Sequence, residues 1–494
     1  MKPAACFILL LVSVSAFGQK KVLDTFDLLE GWNVHASDGG VTWTGRDTLP
    51  THDNLAQWML DPSVGIDTDG NLFIATLMRR FPGYGIRVSK STDEGQSWTQ
   101  SNFALSDHVD KLHMTIDVGE TSPYKNNVYI AYTDENFSPR VDKFSRSTNG
   151  GQDFSTPVVI TGSIVADRTG GVNLTVGPGG EVYATWRAYN ITSRRGRVGF
   201  NKSTDGGSSW GTATGIDTLL YEGSSKGLLY RNFPSMAVDR STPSRQGWIY
   251  IVFADSSAST SPDIFLIRSK DNGATWSSRR RVNQDAGAKD QFMPWLTVDP
   301  SSGNLYVIYY DSRNFPANDS AQVYISASND GGETFKDLSV SDPFLPKPVL
   351  HGPPGYMGSY IGIVASNGVI RPCWMDDRTG INQIYSTRIP DSVFLTSVPE
   401  VIEGTVPAAF QLYQNFPNPF NPSTEIQFSL PQKNHVTLTI FDLLGREIAA
   451  LLDKDLSAGS YSTRWDAGCM PSGTYLYRLR VENFVEVRKL LLMR

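Results

Sequence analysis

The sequence predicts an all-β protein, with a six-bladed β-propeller followed by a small immunoglobulin-like β-sandwich. Two observations predict this fold. An eight-residue turn motif and an aromatic-rich strand pattern each recur along residues 19–395, and a proline-rich run at 410–426 introduces a different set of short alternating strands. The 494 residues exceed one compact core, so we expect two domains of unequal size.

The turn motif has the template S-x-D-x-G-x-x-W/F. Its copies begin at Ser91, Ser147, Ser203, Ser269 and Ser328, at intervals of 56, 56, 66 and 59 residues. Ser and Asp side chains can bond the backbone amides of a tight turn, Gly takes a positive φ, and the aromatic ring fills the gap between strands. We therefore predict a structural role for the motif's aspartates, which are Asp93, Asp205, Asp271 and Asp330.

Between these motifs a second pattern recurs, an alternating strand rich in aromatic and β-branched residues. Its copies begin at Asn71, Asn127, Glu181, Trp248, Asn304 and Val369. Six copies predict six blades, and the spacing fits four strands per blade. The last unit has no turn motif after it, whereas a degraded copy stands at 36–43. We expect a segment around 34–44 to supply the outer part of the sixth blade and so to close the ring.

The N-terminus predicts export. A basic Lys2, an apolar run at 6–14 and the small residues Ala16 and Gly18 indicate a signal peptide at 1–18. No later segment approaches the roughly 20 apolar residues of a spanning helix, so we expect no transmembrane anchor.

Charge and cysteine content exclude several classes of partner. The formal charge of −6 comes without long charged runs, so we expect no nucleic acid partner. Cys373 and Cys469 are far apart, and six scattered histidines supply no ligand cluster. We therefore expect no disulfide, no transition metal and no cofactor.

After a linker at 396–409, the tail carries F-Q-L-Y-Q-N-F-P-N-P-F-N-P from Phe410, then V-T-L-T-I-F-D-L-L-G-R-E-I from Val436 and S-G-T-Y-L-Y-R-L-R from Ser472. By themselves these runs predict a small β-sandwich. Residues 410–494 resemble the type A sorting domain of type IX secretion. The resemblance implies export through the periplasm by the type IX machinery, which would contact residues 410–494, and a secreted or outer cell-surface location.

The turn motif resembles the Asp-box, or BNR repeat, of sialidases and related propellers. A sialidase-like chain implies an arginine triad for the sugar carboxylate, a tyrosine nucleophile assisted by a glutamate, and an aspartate as acid/base. Those enzymes carry an F-R-I-P-like segment before the first full motif, whereas residues 60–64 here read L-D-P-S-V. The nearest similar segment is Y-R-N-F-P at 230–234, which contains Arg231.

In such propellers the loops after the second strands face the ligand, and here these loops are rich in charge. The candidate residues are Arg187, Arg231 and Arg313 for an acidic sugar, Asp311 as acid/base, and Tyr360 as a nucleophile. Tyr189, Tyr230, Tyr356 and Tyr360 are alternative stacking surfaces. Equally, Arg231 could pair with a neighbouring carboxylate, and Asp311 and Arg313 could form a salt bridge at a loop end.

Two functions therefore stay open. The first is a sialidase-like glycoside hydrolase acting on extracellular glycans or glycoproteins. The second is a non-catalytic surface propeller that binds a glycan or a protein partner.

Overall fold

The computed structural model describes residues 8–12, 32–36, 44–46, 58–80, 83–100, 104–105, 109–162, 164, 166–190, 192–193, 195–220, 224–225, 228–230, 232–241, 244–256, 261–287, 289–346, 356–358, 360–378, 383–395, 400–402, 407–421, 423–467, 470, 472–482 and 484–493. Within these ranges the protein is all-β, apart from one four-residue helix, and its sheets are almost entirely antiparallel. The chain divides into two compact units, 1–365 with 371–388 and 366–370 with 389–494.

The first unit begins with a three-stranded sheet of β1 (Ile8–Val12), β2 (Trp32–Ala36) and β3 (Thr44–Arg46). The expectation that segment 34–44 completes the sixth blade is wrong, because β2 and β3 pair with each other and β2 also pairs with β1. The I-L-L-L-V run of β1 has high β propensity and takes the edge of β2. The predicted signal cleavage site, at Ala16 and Gly18, lies outside the described residues.

Six sheets, numbered 1 to 6 here, follow one another in the described ranges between Trp58 and Pro390, together with a small three-stranded sheet of Ser224–Ser225, Leu228–Tyr230 and Tyr356–Gly358. Sheet 1 contains β4 (Trp58–Ile66), β5 (Leu72–Arg80), β6 (Gly83–Ser91), β7 (Thr99–Gln100) and β8 (Ala104–Leu105). Sheet 2 contains β9 (Val109–Ile116), β10 (Val128–Asp134), β11 (Val141–Ser147) and β12 (Val158–Val159). Sheet 3 contains β13 (Arg168–Val176), β14 (Val182–Tyr189), β15 (Arg195–Ser203) and β16 (Thr214–Leu220).

The short strands β17 (Ser224–Ser225) and β18 (Leu228–Tyr230) come next. Sheet 4 contains β19 (Ser235–Val238), β20 (Ile249–Asp255), β21 (Asp263–Ser269) and β22 (Arg280–Arg281). Sheet 5 contains β23 (Gln291–Val298), β24 (Leu305–Asp311), β25 (Gln322–Ser328) and β26 (Lys336–Ser339). Strand β27 (Tyr356–Gly358) pairs with β18 in parallel. Sheet 6 contains β28 (Gly362–Ser366), β29 (Val369–Asp376), β30 (Gln383–Ser386) and β31 (Ile389–Pro390).

The six aromatic-rich segments predicted as strands are the second strands of these sheets, so that prediction is confirmed. Every residue of β10, β14, β20 and β24 is buried. Four hydrophobic clusters explain this, because each of the four joins two neighbouring sheets, as where Phe73 of sheet 1 and Ile130 of sheet 2 belong to one core. A strand that is covered on both faces needs a nearly continuous apolar sequence.

The five turn motifs form the predicted hydrogen bonds. In the first copy Ser91 Oγ accepts from Gly95 N at 2.8 Å and donates to Asp93 Oδ1 at 2.8 Å, while Ser97 N donates to Asp93 Oδ1 at 2.8 Å. The other four copies repeat the Ser to Gly bond, at Ser147–Gly151, Ser203–Gly207, Ser269–Gly273 and Ser328–Gly332. The structural role predicted for the motif's aspartates is confirmed.

The first strands of neighbouring sheets are joined by a repeated hydrogen bond. In each case a side chain in one first strand accepts from a backbone N–H in the next. The pairs are Ser63 with Met114 N at 2.9 Å, His113 with Leu174 N at 3.2 Å, Asn173 with Met236 N at 3.1 Å, and Ser235 with Leu296 N at 3.2 Å. Sheets 1 to 5 are therefore linked in sequence order along their first strands.

The second unit contains helix α1 (Ser392–Leu395) and two four-stranded sheets. One sheet has the order β32 (Glu400–Ile402), β37 (Gly459–Asp466), β34 (Ser423–Leu430), β33 (Gln411–Leu412). The other has the order β36 (Glu447–Leu456), β35 (Asn434–Phe441), β38 (Gly473–Val481), β39 (Phe484–Leu492). Phe428, Tyr477 and Leu490 belong to the one core that the two sheets share.

Candidate functional site

The first strands of four sheets bend at equivalent positions. Asp61, Lys111, Gly171 and Met293 have positive φ angles of 49°, 47°, 70° and 54°. At each of these places the pairing with the second strand shifts register, as between Leu60 and Ser63 in sheet 1. A bulge redirects the side chain at that position, so the bends place a set of side chains differently from the regular strand alternation.

Two of the bend residues, Asp61 and Lys111, belong to a group that we call the inner cluster, which also contains Phe233 and Tyr360. Lys111 Nζ lies 3.1 Å from the ring centroid of Tyr360 and 5.0 Å from that of Phe233. Lys111 N donates to Asp61 Oδ2 at 3.3 Å. The cluster therefore draws residues from sheets 1 and 2 and from the segments that enter sheets 4 and 6.

Gly171 makes room for this cluster. A Cβ at that position would lie 1.9 Å from the Phe233 ring, so only glycine permits the approach. Burial and the neighbouring Asp110 raise the pKa of Asp61, while Lys111 and Tyr360 oppose that shift. A carboxyl group with a raised pKa beside a tyrosine hydroxyl can exchange a proton with it or with a bound ligand.

Arg187 on β14 borders a cleft beside the inner cluster. Its side chain is only 5% exposed, Nη1 donates to Asn232 O at 3.4 Å, and its guanidinium lies 4.8 Å from the ring centroid of Tyr189 and 5.8 Å from that of Phe233. The cleft encloses about 310 Å³, including the space open to solvent. Its lining residues are Arg187, Tyr189, Gly196, Leu219, Leu220, Asn232, Ala254, Asp255, Ser256 and Pro262.

An ion-pair group closes the far wall of this cleft. Asp255 accepts from Leu220 N at 2.7 Å and from Arg279 Nη1 at 2.6 Å, and Arg279 Nε bonds Asp217 at 2.8 Å. Burial raises the pKa of Asp255, and Arg279 opposes that shift. The cleft thus has a cationic side at Arg187 and an acidic side whose charge is balanced by Arg279.

Asp311 and Arg313 lie together, in a different environment. Asp311 is fully buried, and Arg313 Nε donates to its Oδ2 at 2.8 Å. Arg313 also pairs with Asp337 at 2.7 Å and lies 3.9 Å from Asp285, with the Tyr324 ring centroid 4.2 Å away. Burial raises the pKa of Asp311, while Arg313 lowers it. Three carboxylates therefore surround this one guanidinium.

The structure brings some of the predicted site residues together. Arg187 and Tyr360 are connected through Phe233, which both the Arg187 guanidinium and the Lys111 ammonium approach. Asp311 and Arg313 form the salt bridge at a loop end that the sequence left open as an alternative. Arg231 lies outside the described residues, as do the side chains of Tyr230 and Tyr356. The three-arginine clamp stays a prediction.

Sequence reasoning missed Asp61, Lys111 and Phe233. A signal was present, because Asp61-Pro62-Ser63, Phe233-Pro234-Ser235 and Met293-Pro294-Trp295 share a proline at the same place in their units. The residue before this proline is Asp61, Phe233 or Met293. These three side chains have no chemistry in common, so the repeat was not recognised from the sequence.

Among the described residues, no group of three or more His, Cys, Asp or Glu side chains is placed to hold a metal ion. The same ranges contain no helix that is long and apolar enough to cross a membrane.

The C-terminal tail has a recognisable family. Residues 414–493 match the secretion system C-terminal sorting domain. The tail is a sorting domain. It indicates export by type IX secretion to the cell surface or the extracellular space.

Three solved structures illustrate what the chain is similar to. An α-L-arabinofuranosidase from Fusarium graminearum is 12% identical with a TM-score of 0.44, over 67% of this chain and 93% of that one. A polysaccharide lyase of family 25, an ulvan lyase, is 13% identical with a TM-score of 0.46, over 73% and 87%. The NanB sialidase of Streptococcus pneumoniae is 11% identical with a TM-score of 0.43, over 70% of each chain. A search of curated protein sequences found no match.

Proposed function

We propose that the protein is an exported six-bladed Asp-box propeller that recognises an anionic extracellular glycan in the cleft beside Arg187. In this proposal residues 19–395 are the propeller, 396–409 the linker, and 410–494 an immunoglobulin-like sorting sandwich. A signal peptide at 1–18 directs the chain to the periplasm. The carrying observation is the buried Arg187, whose guanidinium lies on the Tyr189 ring at the edge of an open cleft.

The propeller is supported by contacts between sheets. Hydrogen bonds between first strands run in order from sheet 1 to sheet 5. Tyr310 of sheet 5 donates its hydroxyl to Met375 O of sheet 6 at 2.9 Å, and Tyr360, which precedes sheet 6, lies against Lys111 of sheet 2. A closed ring of blades accounts for the contact between sheet 2 and the segment that enters the last sheet, and closure would remove the open ends.

The chemistry of the cleft fits an acidic sugar. A guanidinium presents paired N–H donors that match a carboxylate or sulfate, and an aromatic ring stacks on the apolar face of a sugar. Arg187 and Tyr189 supply these two elements side by side.

Arg313 favours binding over a three-arginine catalytic clamp. Its guanidinium is engaged by Asp311 and Asp337, with Asp285 close by. A substrate carboxylate would have to displace a buried ion pair, and that costs several kcal/mol, about 3–5 by general experience. We therefore assign recognition to Arg187 and a stabilising role to Arg313.

Hydrolysis is the second candidate, and one observation favours it. The Tyr360 ring lies against Lys111, whose backbone N–H donates to the Asp61 carboxyl, and desolvation raises the pKa of Asp61 while Tyr360 opposes that rise. A tyrosine with a carboxyl partner is the pair that an anionic sugar requires, because a neutral nucleophile avoids repulsion by the substrate's charge.

The test of recognition uses the full chain and four glycan sets with sialic acid, uronic acid, sulfate or no charge. We expect calorimetric binding to one anionic set, with the Kd raised about tenfold or more in Arg187→Met, since a charged hydrogen bond contributes about 1.5–3 kcal/mol. Arg195→Met, at an exposed arginine of sheet 3, is the matched control and should bind like the parent. Equal affinity in Arg187→Met, or binding to neutral glycans alone, would refute the proposal.

The same glycan sets test hydrolysis by mass spectrometry of released sugars. Release that disappears in Tyr360→Phe, while calorimetric binding persists, would establish the second candidate. Binding without release in the parent chain would leave recognition as the function.

A further inference from the structure

The sorting domain exposes an unusual side of its second sheet. On β39 the residues alternate, so that Leu490 and Leu492 lie in the core at 0% exposure while Val485, Val487 and Leu491 point outward at 54%, 50% and 36%. The apolar outward residues are not needed for the core, which the alternate residues already fill. Exposed apolar side chains in one row are a feature of interaction surfaces.

The neighbouring strand adds positive charge to the same side. Arg478 lies directly opposite Val487 and Arg480 opposite Val485 in the β38–β39 register, and both arginines are exposed. Lys489 stands between Val487 and Leu491 on β39 and is also exposed. We call these six residues, Val485, Val487, Leu491, Arg478, Arg480 and Lys489, the apolar–basic face.

On this side of the sheet, acidic side chains lie on β36, two strands away from β38, where Asp453 and Asp455 bond His435. The other outward residues of β38 are Thr474 and Leu476, so β38 and β39 place no acidic side chain on this side. In the described part of the sorting domain, none of the three basic residues forms an ion pair, in contrast to Arg446 with Asp442 and Arg488 with Glu486. An apolar row beside three cations complements a partner surface that is apolar and acidic.

We propose that the apolar–basic face is the surface by which the export machinery reads this sorting domain, and that its receptor presents an acidic, apolar surface to it. Both strands lie within residues 414–493, which match the sorting-domain family. A sorting domain must be read by a partner, and the apolar rows and positive charge supply affinity and orientation respectively. The inference is independent of the cleft beside Arg187.

The test measures export of the full chain in a bacterium that has a type IX secretion system. Two variants probe the face, Arg478→Glu with Arg480→Glu, and Val485→Ser with Val487→Ser. We expect each pair to lower the fraction found on the surface and in the medium at least about tenfold, with the protein retained in the periplasm. Retained protein must show the parent's circular dichroism and protease resistance, which separates failed recognition from failed folding.

Matched controls come from the first unit. Val158→Ser with Val159→Ser changes two valines of similar exposure, 43% and 46%, and Arg195→Glu with Arg197→Glu reverses two exposed arginines. Both control chains should be exported like the parent. Arg478→Lys with Arg480→Lys should also be exported, because it keeps the charge.

Parent-like export of both face variants would overturn the proposal. Two further outcomes would also overturn the proposal, provided that export stays normal. In the first, Val485→Ser with Val487→Ser abolishes a dimer seen by light scattering. In the second, Arg478→Glu with Arg480→Glu abolishes binding to phosphatidylglycerol vesicles. In those cases the face would serve a second copy of the chain or a lipid surface.

Discussion

Aspartates in two regions of the first unit behave in opposite ways. In the turn motifs, hydrogen bonds from Ser97 and Ser91 lower the pKa of Asp93 to about 2. At the ends of the second strands, burial raises the pKa of Asp311 and of Asp255. All partners of Asp93 lie within four residues, whereas Asp255 depends on Arg279, 24 residues away, and on Leu220, 35 residues away.

An aspartate can therefore depend on neighbours in the chain or on residues that only the tertiary fold brings close to it. A turn aspartate is at least partly exposed and keeps its charge because nearby N–H and O–H groups solvate it. A strand-end aspartate loses water on folding and depends on an arginine for compensation, which is distant in the chain for Asp255 and two residues away for Asp311. Changes in the second region should therefore cost more than changes in the first.

The largest effect is expected at Arg313. Arg313→Met leaves the fully buried Asp311 and the nearby Asp337 without their cation, so we expect the free energy of unfolding to fall by about 3–5 kcal/mol. Urea denaturation measures this. The loss should be greater at pH 8 than at pH 5, because a protonated Asp311 needs no cation. A double variant with Asp311→Asn should recover part of the stability, and no recovery would contradict the assigned pairing.

His113 and Asp142 sharpen the comparison, because desolvation shifts their pKa values in opposite directions. Burial lowers the pKa of His113 to about 3, so its contribution to stability is present above the unfolded value of about 6.5 and is lost as pH falls. Burial raises the pKa of Asp142 to about 7, so its contribution is present below about 3.8 and is lost as pH rises. Between about pH 4 and 6.5, the two groups therefore change the free energy of unfolding in opposite directions.

Each substitution should therefore leave only the pH dependence of the other group. As pH falls from 6.5 to 4, the free energy of unfolding of His113→Asn should rise by about 3 kcal/mol relative to that of the parent. That of Asp142→Asn should fall by about as much, since one pKa unit corresponds to about 1.4 kcal/mol. Asparagine can still accept the bond from Leu174 N, as Asn173 does from Met236 N. Parallel pH profiles for the three chains, from urea unfolding, would contradict this.

A smaller loss is expected at Arg279, on the wall of the cleft. Its side chain is 26% exposed, so water can partly replace it at Asp255. We expect Arg279→Met to lower the free energy of unfolding by about 2 kcal/mol, between the values for a buried and a surface pair. Glycan affinity should change less than in Arg187→Met. An unchanged stability would show that Asp255 is solvated without Arg279.

The smallest effect is expected at Gly70, one of two turn glycines that can be compared. Gly207 in the third turn motif and Gly70 between β4 and β5 have φ angles of 80° and 84°, so alanine should cost each about 1 kcal/mol. An added Cβ at Gly207 would lie 2.5 Å from Phe144, whereas Gly70 has nothing within 4 Å. Thermal unfolding should therefore show that Gly207→Ala destabilises the protein by about 1 kcal/mol more than Gly70→Ala does. Equal losses would mean that Phe144 moves aside freely.

The sequence predicted the strands of the first unit well, and the candidate site only in part. The second strands and the turn motifs were found because their signals are short-range and repeat. Arg187 and Tyr360 were selected by position in the unit, and Asp311 with Arg313 by proximity in the chain. The roles of Arg187 and Arg313 could not be separated, because Asp337 and Asp285 lie far from Arg313 in sequence.

The sequence by itself determined the repeated turns, the buried second strands and the sorting tail, because each depends on hydrogen bonds or alternation within about ten residues. Only the tertiary structure decided which charged side chains share a site. The inner cluster joins Asp61, Lys111, Phe233 and Tyr360 across some 300 residues of chain, since bends in two first strands and the segments that enter two others bring them to one place. It is also burial, a property of packing, that raises the pKa of Asp61 and Asp311.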